Sequence, residues 1–397
     1  MALPTVDGVP TKPLLRPPAP EDFRSRLRSP AVTARVGLWL GICFGIAFVT
    51  GLISHYAQNA DHPVLFPAWP AWGYRVTQGL HVITGTAAVP LLLVKLWTVY
   101  PLLFRRPERG LRRLLLDGLE RGSIAVLVAS ALFQLATGLL NSAQWYPWAF
   151  SFRSSHYAIA WVAIGSLLVH IAVKLPIIRR ALTSDVESTV DDRPNATAPG
   201  VLSRRGLLRT TFLASGVAAL AVAGGTVPLL RRISVFAVRS GEGPQGVPIN
   251  KSAAAAHITD ELVGPAYRLE VVHGDRNVSL TREDLQGMEQ RTESLPIACV
   301  EGWSAGAEWT GVRVRDLLDL VGAPRGRDVD VYSLQPSGPY RHTVLQGNFA
   351  DHDRTLVALA LHGEPLSRDH GEPARLIAPD RPGVLQTKWL ARLEVSA

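Results

Sequence analysis

Apolar residues crowd the first 230 positions and fall into five long runs, near 36–54, 77–99, 122–140, 157–178 and 211–230. Each run is about 19 to 23 residues with few or no charges, enough for a helix to cross a hydrocarbon core of roughly 30 Å. The pattern then changes. Short β-rich runs appear at 268–272, 297–300, 329–334, 356–361, 375–378 and 390–395, with short helical stretches between some of them. This predicts a membrane α-helical bundle, four helices plus a fifth anchor helix, followed by an α+β domain. Polar tracts containing Pro and Gly at 183–203 and 231–252 read as linkers. The expected division is a cytoplasmic tail (1–32), a four-helix membrane domain (33–180), a cytoplasmic linker (181–203), an anchor helix (204–232) and an extracytoplasmic domain (233–397).

Charge orients the runs. The chain of 397 residues carries a net charge of +8, and its arginines and lysines collect at alternate ends of the apolar runs. Lys12, Arg16, Arg24, Arg26, Arg28 and Arg35 precede the first run, and Arg105, Arg106, Arg109, Arg112, Arg113 and Arg121 follow the second. Arg179, Arg180, Arg193, Arg204, Arg205 and Arg209 lie between the fourth and fifth. The intervening loops are aromatic and nearly free of cations; the 141–155 loop has only Arg153. The positive-inside rule then places the N-terminus in the cytoplasm and the region after residue 230 outside. The positive charge is spent on topology, so no nucleic-acid partner is expected.

Only two cysteines occur, Cys43 inside an apolar run and Cys299 at the end of the strand-like Leu295–Ala298. A thiolate before a Gly-containing turn ligates soft metals or attacks electrophiles, although a lone cysteine is more often simply buried. Its surroundings run Cys299-Val300-Glu301-Gly302-Trp303-Ser304, then Trp309-Thr310-Gly311, then a leucine-rich stretch from Val314 to Leu320. Two further blocks follow: His362-Gly363-Glu364-Pro365-Leu366 with Asp369-His370-Gly371-Glu372-Pro373-Ala374-Arg375, and Gly383-Val384-Leu385-Gln386-Thr387-Lys388-Trp389. Together they resemble the molybdopterin-dependent domain of the sulfite oxidase superfamily, nearest its bacterial periplasmic methionine sulfoxide reductase branch. The resemblance implies that Cys299 ligates molybdenum and that His370, Arg375, Thr387 and Lys388 hold the pterin cofactor. Asn250 stands in for a family segment that this chain has only in shortened form. Tyr340 and Arg341 are expected at the substrate mouth, where an arginine suits an oxyanion. The outer domain is short for the superfamily, and the immunoglobulin-like domain of true sulfite oxidases is not expected after Trp389.

Histidines within apolar helices are costly unless paired and are functional candidates for that reason. His156 and His170 share one face of the fourth run, 14 residues apart; His81 lies in the outer half of the second and His55 at the outer end of the first. The arrangement resembles the di-haem cytochrome b subunits of membrane formate dehydrogenases and hydrogenases. It implies one b-type haem held by His81 and His156, with His170 and His55 as further candidate ligands. Ser203-Arg204-Arg205-Gly206-Leu207-Leu208 before the fifth run looks like a twin-arginine export signal, here an uncleaved anchor.

The expected function is a membrane-bound molybdopterin oxidoreductase with a haem relay in electron transport. It acts on a small sulfite-like or S/N-oxide substrate and exchanges electrons with quinone, and a separate electron-transfer partner stays open. The alternative is a membrane cytochrome with a degenerate, non-catalytic outer module.

Overall fold

The computed structural model describes residues 18–61, 64–105, 110–237 and 243–395; Lys12, Arg16, Arg106, Arg109 and Gly241 lie outside these. Five helices, α1 (Pro30–Ala57), α2 (Gly73–Val99), α3 (Leu111–Ser142), α4 (Phe152–Thr183) and α5 (Arg204–Ala223), are long and apolar enough to cross a bilayer. The starts of α1 and α5 are chemically marked. The Ser29 hydroxyl accepts the Val32 N–H with Pro30 as first helical residue, and Ser203 accepts the Gly206 N–H. The fifth apolar run outlasts its helix. Beyond Ala223, Gly224 and Gly225 turn the chain back so tightly that a Cβ at 224 would lie 2.6 Å from the Arg231 Cα. Pro228 cannot continue the helix either.

Helix α2 packs between α1 and α5, while α4 packs against α1 and α3. Leu38, Trp39, Leu93, Val169, Val173 and Leu213 remain exposed on the outside of the bundle, as suits helices long and apolar enough to cross a bilayer. The arginine-rich ends gather on one side. Arg35 donates to the Ala181 and Ser184 carbonyls, and Arg204 donates to the Arg26 carbonyl and pairs with Asp192. The α+β domain sits on the opposite end of the bundle, where Gln78, Asn141 and Gly225 hydrogen-bond to it.

That domain contains β1 (Leu269–His273), β2 (Arg276–Leu280), β3 (Arg291–Ala298), β4 (Ser304–Arg313), β5 (Val329–Ser333), β6 (His342–Leu345), β7 (Leu356–Leu361), β8 (Glu364–Pro365), β9 (Arg375–Ile377) and β10 (Leu390–Val395). Short helices α6 (Asp260–Val263), α7 (Arg282–Gly287), α8 (Val314–Leu320) and α9 (Gly347–Ala350) connect them. One sheet runs β2-β1-β10-β5-β6, with β1 and β10 parallel; the other runs β3-β4-β7-β8, with β9 also on β7. All six β-rich runs are strands. β4 departs from expectation because its first half is small and polar rather than β-branched. Its strand character lies in alternation: Ala305, Ala307 and Trp309 point inward while Gly306 and Glu308 do not.

The connection between α1 and α2 is built into the outer domain. Phe66 packs against its core, Ala68 lies within that core, and the Ala60 carbonyl accepts the Val344 N–H. Asp380 caps α2, its carboxylate accepting the Tyr74 N–H at 2.5 Å and the Gly73 N–H. Burial pushes this carboxyl up to about 6 despite both bonds. Replacing it, Asp380→Ala, is expected to cost about 1 to 2 kcal/mol of docking stability. Thermal unfolding together with limited proteolysis between bundle and domain measures this; unchanged values would remove the cap from the account.

Candidate active site and the bundle cavity

Strand β3 ends at Ala298 and β4 begins at its register partner Ser304, so Cys299 to Trp303 form the tip of a hairpin. The Cys299 N–H donates to the Trp303 carbonyl and the Gly302 N–H to the Cys299 carbonyl, which closes the loop on itself. Gly302 has φ +86°, a left-handed conformation, and a Cβ there would lie 2.6 Å from Val82 of α2. The tip therefore rests directly on the bundle. Gln78 of α2 and Asn141 of α3 both donate to the Val300 carbonyl, at 2.9 and 3.1 Å. Cys299 itself is buried, and both burial and the neighbouring Glu301 carboxyl push its thiol well up. A thiolate at this position requires a cationic partner such as a metal.

Basic side chains gather near that position. Arg375 is buried on β9, donates through Nη1 to the His370 carbonyl, rests over the Trp309 ring at 5.1 Å and leaves Nε unpartnered. Lys388 Nζ donates to the Lys251 and Asp369 carbonyls. His370 Nε2 lies 2.7 Å from the Pro244 carbonyl and must carry the ring proton, which leaves Nδ1 a buried acceptor without a partner. Desolvation lowers Arg375 to about 9, Lys388 to about 7 and His370 to about 4. Thr387 is also buried, 3.4 Å from the Thr343 hydroxyl. Arg381, not anticipated from sequence, is buried too, with Nε and Nη1 unpartnered. Among the described residues no carboxylate forms an ion pair with Arg375, Arg381 or Lys388. Such a set fits a polyanionic cofactor: buried donors without acceptors are expensive unless a ligand's oxygens meet them.

Two expected residues, Arg341 and Asn250, separate from this group. Tyr340 is turned inward and accepts a hydrogen bond from Arg153 Nη1 at 2.7 Å. Arg341 is exposed and donates only to the Pro336 carbonyl, on the outside of the same turn. Asn250 is exposed as well. Arg153 is a second cation that sequence reasoning passed over, and its signal was being alone in a loop otherwise free of positive charge.

Beneath the hairpin lies a cavity in the bundle, partly open to the outside and bounded at one point by Val300. His81 and His156 face each other across it, ring centroids 6.2 Å apart and planes at 70°. The His81 Nδ1 sits 2.8 Å from the Ala47 carbonyl and so donates to it. The His156 Nδ1 sits 2.9 Å from the Thr137 hydroxyl, whose own proton goes to the Phe133 carbonyl, so His156 also donates. Both Nε2 lone pairs are left available. Gly51 makes room, since a Cβ there would meet His81 at 3.0 Å. His55 lines the same cavity but stacks on Tyr157 at 3.7 Å, and His170 lies away from it, near Glu120 and Lys174. Among the described residues no three His, Cys, Asp or Glu side chains converge, so a metal held by this pair takes two protein ligands.

The buried ammonium predicts a pH dependence. Between about 7 and the ordinary lysine value, Lys388 is neutral in the fold and charged when unfolded. The cofactor-free protein should therefore gain stability as pH rises through that window. Lys388→Met should flatten the rise and also lower cofactor retention; denaturant unfolding at several pH values measures the first effect.

Comparison with known proteins agrees with this geometry. Residues 256–397 match the oxidoreductase molybdopterin binding domain. The chain is 30% identical to the mitochondrial sulfite oxidase of Drosophila melanogaster over 166 residues, 35% of this chain and 29% of that one. It is 30% identical to a protein-methionine-sulfoxide reductase subunit, YedZ1, of Azospira oryzae over 138 residues, 34% of this chain and 51% of that one. The sulfane dehydrogenase SoxCD of Paracoccus pantotrophus is 24% identical, with a TM-score of 0.31, over 33% of this chain and 38% of that one. The chain thus spans under a third of the matched sulfite oxidase and about half of the reductase subunit. Cys299, Arg375 and Lys388 all lie inside residues 256–397, the segment that matches the oxidoreductase molybdopterin binding domain.

Proposed function

We propose that the protein is a membrane-bound molybdopterin oxidoreductase acting on a small sulfur-containing substrate, sulfite-like or an S- or N-oxide. The observation that carries this reading is the buried Cys299 hairpin beside Lys388 and beside Arg375 and His370, whose Nε and Nδ1 have no protein partner. In it Cys299 holds the molybdenum, and Arg375, Lys388, Thr387 and His370 hold the pterin and its phosphate, with Arg381 a further buried donor. When bound, the cofactor supplies two-electron redox chemistry. The chain's own part is to orient it, to exclude water around the thiolate and to keep Tyr340 on the substrate side. The names of the matched sulfite oxidase and sulfoxide reductase subunit support the substrate class.

The bundle in this reading carries one b-type haem between His81 and His156 and exchanges electrons with quinone. His81 and His156, whose rings face each other at 6.2 Å between centroids, would be the residues that hold the iron, which would supply one-electron redox chemistry. Nδ1–H groups donated to a carbonyl and a hydroxyl are the usual support of ligating imidazoles. The outer domain then lies on the extracytoplasmic side, exported folded under the Arg204-Arg205 signal, with α5 kept as its anchor.

Metal analysis and a visible spectrum of the detergent-purified chain, made in a host that supplies molybdopterin, test both halves. Near-stoichiometric molybdenum, lost in Cys299→Ser, and a dithionite-reducible b-type spectrum, lost in His156→Ala, are the expected results. Haem without molybdenum, in a host that loads a control molybdoenzyme, would leave a cytochrome with a vestigial outer module. Molybdenum without haem would reduce the bundle to an anchor.

A further inference from the structure

The cavity between α1, α2, α3 and α4 has a feature that two histidines do not explain. Among the described residues that line it, Arg153 is the one arginine or lysine, and no aspartate or glutamate is present. Arg153 stands three residues before His156 on α4, one helical turn away on the same side. Its Nη1 serves two protein acceptors, the Tyr340 hydroxyl at 2.7 Å and the Gln58 carbonyl at 3.2 Å. Its Nε and Nη2 have no protein acceptor among the described residues. That edge is the part of a guanidinium that takes a carboxylate with two parallel hydrogen bonds.

The cavity is otherwise apolar along much of its wall, with Phe44, Phe48, Val82, Leu135 and Ile164, and turns polar at Ser54, Gln58, Gln78 and Asn141 beside Val300. Those four polar residues are buried. The polar part is therefore the part that meets the outer domain, and Arg153 belongs to it through Tyr340 and Gln58.

We propose that Arg153 is a carboxylate-binding residue of this cavity, seating an acidic, flat, iron-containing ring so that its carboxylates face the molybdopterin domain. The same guanidinium holds Tyr340, so one side chain of the bundle serves both sites. This rests on the porphyrin reading above and names the orientation of its ligand. The ligand class follows from chemistry on the page: two imidazole lone pairs for a metal, an apolar slot for a ring, and a fixed positive charge without a protein counter-ion.

The test uses the full chain in detergent, stripped of porphyrin and titrated with haemin or with haemin dimethyl ester, whose carboxylates are masked. Wild type should bind the free acid about tenfold or more better than the ester, the worth of one charge-assisted pair. Arg153→Gln should lose most of that preference and Arg153→Lys should keep part of it. A second readout is the oxidation equilibrium of the bound iron. Loss of the cation in Arg153→Gln should favour the oxidised form about tenfold, a midpoint lower by about 59 mV for one electron. Equal binding of acid and ester by wild type overturns the proposal even if Arg153→Gln does not fold. Uptake of neither porphyrin by wild type sinks the haem reading itself, a separate outcome.

Discussion

The carbonyl of Val300 is held from below by two amide side chains on two different helices, Gln78 of α2 and Asn141 of α3. A peptide oxygen buried against an apolar bundle costs free energy unless it finds donors, and these two satisfy both of its lone pairs. Because Val300 follows Cys299, the bonds fix the hairpin tip and with it the direction of the thiol. The same helices position the histidine pair. Gln78 precedes His81 by three residues, and Asn141 follows by four the Thr137 that accepts from His156. A shift of α2 or α3 would therefore move both sites together, since each helix is a rigid rod over one turn.

Charge organises the two sites in the same way. Near Cys299 the domain places Arg375 and Lys388, and Arg375 is fully buried with its Nε unpartnered. Around the histidine pair the bundle places Arg153 with no carboxylate among the described lining residues. In a low-dielectric setting such arrangements are unfavourable by themselves and become favourable when an anion arrives. Each arrangement is one that an anionic ligand would stabilise. The cost of keeping them ready is met by the close-packed sheets, where residues such as Leu269, Leu317, Leu356 and Leu393 are fully buried.

The junction between bundle and domain explains why the two halves form one unit. The α1–α2 connection puts Phe66 and Ala68 against the domain core, and Asp380 returns the contact by capping α2. Gly225 and Arg231, just after α5, hold Ser304 at the start of β4. The hairpin is gripped from both sides. Gly302 is needed at its tip because only a residue without Cβ fits against Val82 in that left-handed turn.

Local patterns were enough for much of this. Long uncharged apolar runs read as helices, because a helix satisfies its backbone hydrogen bonds within the segment, and six β-rich runs became strands in the expected places. Cys299, Arg375 and Lys388 were legible because their neighbours form ordered blocks along the chain. Other features depend on partners distant in sequence. β4 is a strand because β3 and β7 flank it, and α5 stops at Ala223 because Arg231 folds back onto Gly224. Which of Tyr340 and Arg341 turns inward depends on Arg153, 187 residues away from Tyr340. Short-range physics reads the elements from the sequence; contacts made only after the bundle and the sheets meet decide where each charge ends up.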